Sequence, residues 1–403
     1  MAILNAASGV LKTVIIAPET TWGVSPAASS TSAKYARRTT CDLSHTRAAF
    51  ESAEINATAQ ITDARTGTDN ISGKLTDELS VGSYSDQWEA LLRGTWTAGV
   101  TTTATTIAAV AATSKLTNSA SWLTAGFKVG DLVKVSGFAT AANNGQFIVL
   151  SVSASDLVLN ATLTNEAAGA SVTVAVPGKK LVIPLTPAAR TDKSYTIEQY
   201  FSNIGVSYVA SGVKFSSASV KLAPDAMGTV EWSLLGKDMK YSSSAYFTAP
   251  TAADTHSVLA GNRGTIVVNG AVAGYVTGFD FEVNGNMEAG KVVGNLLPDN
   301  TRPAAAIFLG TIKVSGTFTA YFTDAVLYEK FRDDTAFTVS FTVFGDGNQA
   351  MIFKFPRTKI SSATPNDVAT GGIVQTCAFT ATLNDGTDAT VEQSSIVMQE
   401  VLS

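Results

Sequence analysis

The sequence is poor in charged side chains, and no stretch of it is strongly basic. Charged residues make up 15% of the 403 residues and the net charge is −5, whereas average domains are roughly 25% charged. Proteins that grip nucleic acid usually carry a basic face, and no cluster of lysine and arginine is present here. The composition therefore predicts a polar, weakly charged surface, typical of all-β proteins and of subunits of assemblies.

Residues that carry out chemistry are equally scarce. The two cysteines, Cys41 and Cys377, lie far apart in predicted strands, so we expect two free, partly buried thiols and no disulfide. The two histidines, His45 and His256, have no second histidine or cysteine at metal-ligand spacing. The turns "FGDGNQ" and "LNDGTDA" lack the terminal glutamate of a calcium loop and are predicted to be hairpin turns. No catalytic motif occurs, so we expect no enzyme activity, no metal and no cofactor.

Long hydrophobic runs are also missing. No apolar stretch reaches the roughly 18 residues needed to span a membrane. The first residues lack a basic start and an obvious cleavage site, so we expect no signal peptide. The sequence thus predicts a protein that is made in a cytoplasm and is soluble there.

One strand pattern is present twice. The stretch "IKVSGTFTAYF" (312–322) alternates apolar and polar residues, which is typical of a strand with one buried face. The stretch "NISGKLTDELS" (70–80) alternates in the same way, and aligning the two places Gly73 on Gly316. This repetition indicates that the chain contains two copies of one β unit.

The similarity extends on both sides of this strand. Upstream, "TTCDLSHT" (39–46) aligns with "TGFDFEVN" (277–284), and a long irregular stretch follows in each copy. Downstream, "YSDQWEALLRG" and "TDAVLYEKFRDD" each predict a short amphipathic helix. We expect the apolar faces of these helices to pack on the sheet through Trp88, Leu91, Leu92, Leu327, Tyr328 and Phe331.

The first copy is interrupted by an insert. The insert contains short strand patterns separated by turn residues, which indicates a compact β domain of its own, a small β-barrel or an Ig-like or SH3-like domain. Insertions succeed at exposed loops, so we expect this domain to project from the surface. The predicted fold is all-β with minor α, divided into an N-terminal arm (1–37), a first β unit (38–96 plus 178–240), the insert (97–177), a linker (241–264) and a second β unit (265–403).

Four stretches resemble the tail tube (major tail) proteins of long, flexible-tailed bacteriophages. They are "APETTWGVSPA", "YARRTTCDLSHTRAAFESAEI", "DARTGTDNISGKLTDELSVGSYSDQWEALLRGTW" and "VGDLVKVSGF…NNGQFIVLSV". The resemblance implies two fused tail-tube β-sandwich or barrel units, each with one flanking helix. Strands of such units join those of neighbouring units into a closed barrel around a lumen. It also implies that the N-terminal arm clasps neighbouring subunits.

The resemblance assigns roles to residues of the repeated strands and loops. The polar faces of the repeated strands would line the lumen, through Ser72, Lys74, Thr76, Glu78, Asp280, Glu282, Lys313, Ser315, Thr317 and Thr319. The long irregular stretches would stack one ring on the next, through Glu51, Glu54, Asp63, Arg65, Glu288, Asp299 and Arg302. Without the resemblance, the polar face would be simply a solvent face.

The implied function is structural. The chain would polymerise into stacked rings that form the hollow tail through which double-stranded DNA is ejected. Tubes of this family have six units per ring, so a duplicated chain predicts a ring of three chains with pseudo-sixfold symmetry. The expected partners are further copies of the chain, a tape-measure protein, tail terminator and distal tail proteins, and DNA in passage, but no membrane. The expected location is the virion tail, assembled in the host cytoplasm. Alternatives are a tail terminator or distal tail ring protein, or a receptor-binding adhesin.

Overall fold

A computed structural model of the chain describes residues 6–273, 276–294, 297, 301–366 and 371–402. The fold is all-β with minor α, which confirms the predicted class. The elements before the insert are β1 Lys12–Pro18, β2 Lys34–Tyr35, β3 Thr40–Cys41, β4 Ser44–Glu51, β5 Ala64–Glu78 and α1 Ser85–Leu92. Those of the insert region are β6 Thr97–Ala98, β7 Thr101–Ala104, β8 Ala108–Val110, β9 Lys115–Thr117, α2 Trp122–Ala125, β10 Leu132–Ser136, β11 Gly145–Val152, β12 Asp156–Leu159 and β13 Val172–Ala175.

The remaining elements complete both copies. Those that follow the insert in the first copy are β14 Lys179–Val182, β15 Tyr195–Phe201, β16 Val206–Leu222, β17 Thr229–Gly236 and β18 Asp238–Ser242. Those of the second copy are β19 Gly264–Val268, β20 Ala271–Val272, β21 Val276–Asn284, β22 Glu288–Gly290, β23 Ala306–Phe308, β24 Lys313–Tyr321, α3 Val326–Arg332, β25 Phe337–Phe344, β26 Ala350–Pro365, β27 Val374–Ala381 and β28 Val397–Val401.

Both copies contribute to one wide antiparallel layer, which we call the wall sheet. The first copy supplies β3 and β4, which follow each other along β5, and then β17 and β16. The second copy supplies β21, β24, β27 and β26 in the same order. The two copies meet where β16 pairs with β21. The wall sheet is therefore eight strand positions wide and crosses the boundary between the copies without a break.

Strand register is the same in the two copies. Ser44 lies opposite Ser72, and Glu282 lies opposite Ser315 at the aligned positions. A β-bulge also falls at the same place in both, after Phe215 in β16 and after Ile360 in β26. Since a slip of one residue would turn every side chain to the other face, this match means that both copies bury equivalent residues.

The strands β16 and β26 connect the wall sheet to a second layer. Their first halves pair with β15 and β18 and with β25 and β28, while their second halves belong to the wall sheet. A continuous apolar core fills the space between the layers. Trp88 and Trp232 lie 4.6 Å apart between ring centroids, and Phe215 and Phe353 pack beside them. Burial of each such side chain contributes about 1.5–3 kcal/mol.

The insert folds as a seven-stranded sheet around its own core, which contains Trp122 and Phe127. The sequence predicts that this domain projects from the surface, but one side of it also packs against the second copy. Leu132 and Ile148 pack in one cluster with Ile352 and other residues of the second copy. The reason is that β10 and β11 bury residues on both sides, with Val133 and Val149 inside the insert and Leu132 and Ile148 against the second copy.

A buried cluster of charges reinforces this contact. Asp131 of the insert accepts hydrogen bonds from the ammonium groups of Lys180 at 2.7 Å and Lys354 at 2.5 Å. The same two amines contact Glu392 at 2.6 and 2.5 Å. Burial alone would raise the pKa of Glu392, but the two lysines bring it down to about 2. Two positive and two negative charges therefore compensate one another where insert and second copy meet.

The predicted arm and linker are both attached to the body of the fold. Within the arm, β1 pairs with β15 over seven residues, and Glu19 accepts hydrogen bonds from Gly23, Thr196 and Gly212, each at 2.8 Å. Within the linker, Leu259 is buried in the main core. These residues therefore belong to the chain's own sheet and core, in addition to any contact with neighbours.

Candidate assembly surface

The wall sheet has one apolar and one polar face because its residues alternate along most of each strand, apart from the bulges. On the polar face one row of opposed residues crosses all eight strand positions. The row runs through Thr40, Thr76, Glu231, Ser219, Glu282, Ser315, Thr380 and Lys359. On the other face, Leu75, Trp232 and Phe318 are fully or almost fully buried. The polar residues of both copies therefore form a single continuous surface.

All ten residues predicted to line a lumen lie on this polar face. The register places Asp280 opposite Thr317. Glu78 lies in the same row of opposed residues, separated from Asp280 by β17 and β16. Sequence reasoning missed the strands between the two groups, which contribute Ser219, Lys221, Glu231 and Ser233. These strands could have been identified from the alternation in "GTVEWSLLG", in which Val230, Trp232 and Leu234 are buried.

Acidic and basic groups are interspersed on the polar face. Lys74 Nζ contacts Glu231 Oε1 at 2.7 Å, and this hydrogen bond is the main cause of a raised pKa of Lys74. Lys221 lies directly opposite Asp280 on the neighbouring strand. Lys313 has Asn284 opposite it. The face is therefore not uniformly acidic, and its basic residues do not form a continuous row.

The first predicted stacking loop is an extension of the hairpin formed by β4 and β5. Glu51, Glu54, Asp63 and Arg65 are all exposed there, and Arg65 Nε contacts Asp63 Oδ2 at 2.7 Å. Apolar side chains are exposed on the same extension, and Ile55 is 99% exposed. Phe50 and Ile61, on the same extension, are 60% and 61% exposed.

The second predicted stacking loop lies against the base of the first. Asp69, which is buried, accepts hydrogen bonds from His45 Nε2 at 2.8 Å, from the side chain of Arg47 and from the Arg302 backbone N–H at 2.6 Å. Burial would raise the pKa of Asp69, but these donors hold it below its usual value. Glu288 is exposed in β22, and Asp299 lies outside the described residues. Sequence reasoning did not single out Asp69, which joins the two loops.

The two helices differ in how much they bury. In α1, Trp88, Leu91 and Leu92 are all buried. In α3, Leu327 is buried, but Tyr328 is 47% and Phe331 38% exposed. This departs from the prediction that all six residues pack on the sheet. The cause is that α1 packs against both β14 and β16, whereas α3 packs chiefly on β26.

The described residues contain no group of three metal-binding side chains. Cys41 and Cys377 are both free and buried, and burial raises the pKa of Cys377 to about 11. His256 Nδ1 lies 2.5 Å from Asp254 Oδ1, so its ring is held by a local hydrogen bond. Among the described helices, none is long and apolar enough to cross a membrane.

The fold is that of a β-rich protein with one broad polar sheet face, and in the described part of the chain neither side edge of that sheet has a further partner strand. The family model described as phage tail tube protein matches residues 9–381. The chain therefore belongs to the phage tail tube family, a family of structural proteins that assemble into the tube of the virion tail. A search of curated proteins gave no match.

Proposed function

We propose that this chain forms the tail tube as stacked rings of three chains, each chain supplying two fused tube units. One observation supports this most directly: the polar faces of both copies lie on one continuous sheet. Three such sheets joined edge to edge would close into a barrel with 24 strand positions and pseudo-sixfold symmetry. Closure would also remove the exposed sheet edges, which are otherwise sites of uncontrolled pairing.

The polar face would line the lumen and conduct double-stranded DNA during ejection. A conduit must not hold phosphate groups, because each basic contact adds affinity through counterion release. The pairing of Lys74 with Glu231, and the position of Lys221 opposite Asp280, compensate two of the lysines on this face. The protein would therefore act by shape and weak electrostatics, with no covalent chemistry.

The lining can be tested by charge reversal. Glu78→Lys, Asp280→Lys and Glu282→Lys in one variant should leave tubes intact but slow DNA release from virions. A matched variant reverses three exposed carboxylates elsewhere, namely Glu329, Asp346 and Asp385. Equal release rates for the two variants would contradict the lining assignment.

The ring stoichiometry is tested by cryo-electron microscopy of the purified protein. We expect hollow tubes with three chains and six similar lobes per ring. Single closed rings would instead favour a tail terminator or distal tail protein, and monomers at high concentration would favour a receptor-binding adhesin. During assembly in the host cytoplasm, the lumen would hold a tape-measure protein, and terminator and distal tail proteins would bind the tube ends.

A further inference from the structure

The junction between the two copies contains a template for the contact between two chains. Along this junction, Ser217–Leu222 of β16 pairs with Phe279–Asn284 of β21 in an antiparallel ladder. The Gly285 N–H donates to Ser216 O at 2.8 Å. Because bonded pairs alternate in an antiparallel ladder, Val220 and Phe281 form a hydrogen-bonded pair.

Equivalent strands form the two side edges of the wall sheet. The second half of β26 is equivalent to that of β16, and β3 with β4 is equivalent to β21. In the described part of the chain, 361–365 in β26 pairs only with β27, and β3 and β4 pair only with β5. In the described part of the chain, the end of β26 at one side edge and β3 with β4 at the other thus each have one side without a partner strand.

From this geometry we propose that β26 of one chain pairs antiparallel with β3 and β4 of the next chain, in the register of the internal junction. Transferring that register places Thr364 opposite Ser44 and Ser362 opposite Thr46. The partner is a second copy of this chain, and the inference rests on the proposed tube. The contact is a continuation of the wall sheet by one more ladder.

The backbone directions at the two edges agree with this register. Asp42 N–H donates to Lys74 O, so the backbone groups of Leu43 and His45 point away from β5. Asn366 N–H donates to Val374 O, so Ala363 and Pro365 point their backbone away from β27. The transferred register pairs outward groups with outward groups, Ala363 with His45 and Pro365 with Leu43.

The proline fits the position that the register gives it. Proline has no N–H and is found in sheets at edge strands. Pro365 would face Leu43, whose carbonyl already accepts a hydrogen bond at 2.7 Å from Gln199 Nε2. Pro365 has no N–H to donate to the Leu43 carbonyl, but that carbonyl already has a donor in Gln199 Nε2. The polar face also continues across the contact, because Thr364 and Ser44 both lie on it.

Disulfide trapping tests the register. The two residues of Ser44→Cys/Thr364→Cys lie at opposite edges of one chain, seven strand spacings or on the order of 30 Å apart, so they can bond only between chains. We expect oxidised assemblies to shift on non-reducing gels from one chain to two and three chains. Ser219→Cys/Glu282→Cys, the equivalent pair at the internal junction, should form the bond within one chain and serves as the positive control.

A shifted pair separates specific from random trapping. Ser44→Cys/Ser362→Cys is displaced by two residues and should lose most of the cross-linked species. Equal trapping in both pairs, or tubes visible by electron microscopy with no trapping at Ser44 and Thr364, would overturn the register and leave the tube function standing. If the parent chain forms neither rings nor tubes while the internal control still bonds, the proposed function and the inference are both wrong.

Discussion

Replacing Asp131 with asparagine measures how strongly the insert is tied to the rest of the fold. The Asp131 carboxylate contacts the ammonium groups of Lys354 and Lys180, and the Lys354 side chain is only 3% exposed. Asp131→Asn leaves these two buried amines with Glu392 as the remaining carboxylate of the cluster. Removing one partner of a buried ion pair costs about 3–5 kcal/mol, because the charge left behind is not compensated. We expect a loss of that size in the free energy of unfolding.

The assay is urea denaturation at pH 7, followed by tryptophan fluorescence. Asp156→Asn is a matched control, since it makes the same substitution in the same insert. Asp156 pairs with Lys115 at 3.0 Å, but both side chains are about one-third exposed, and pairs of this kind contribute about 0–1 kcal/mol. The difference between the two variants therefore isolates the effect of burial.

A second variant makes the reasoning refutable. Asp131→Asn combined with Lys354→Met removes one of the uncompensated amines, so it should be less destabilised than the sum of the two single variants. If Asp131→Asn costs no more than Asp156→Asn, or if the double variant shows simple additivity, the cluster does not hold the insert in place.

Three further predictions concern single side chains. The pKa of Glu392 is about 2 in the folded chain and 4.5 without the fold. Its contribution to the free energy of unfolding is therefore complete above about pH 4.5 and is lost as the pH falls toward 2. Urea titrations should show this loss, and the Glu392→Gln variant should lack it. At Gly316 an added Cβ would lie 2.4 Å from a backbone oxygen of the next strand, so Gly316→Ala should cost about 1–3 kcal/mol in unfolding free energy, whereas Gly9→Ala, with open space around it, should change it little. Trp88→Ala should lower the unfolding free energy by about 3–5 kcal/mol, and Tyr328→Ala on the other helix by less than about 0.5 kcal/mol; equal losses would contradict the difference in helix burial.

The two faces of the repeated strands were predictable because alternation is a local property of the sequence. The offset that aligns Gly73 with Gly316 also aligns residues that the structure pairs in the same register. The bulges at Ser216 and Ser361 were not predictable, since serine is an ordinary strand residue and nothing nearby marks the irregularity. The same applies to the passage of one strand through two layers.

The contact between insert and second copy was missed for a different reason. Alternation describes a strand with one buried face, but Leu132 and Val133 are adjacent and both buried. Such a strand packs on two sides, and the sequence of the insert does not say which surface lies on the second side. Exposure of Tyr328 was missed similarly, because an amphipathic pattern shows which face is apolar and not how much of it is covered.

The two long strands have a mechanical consequence. β16 has 17 residues and β26 has 16, so each spans roughly 55 Å of continuous backbone from the second layer into the wall sheet. A force that bends or stretches the wall is therefore transmitted to the second layer through covalent bonds, not only through side-chain packing. Because this arrangement occurs twice in each chain, the two layers deform together and resist sliding past each other.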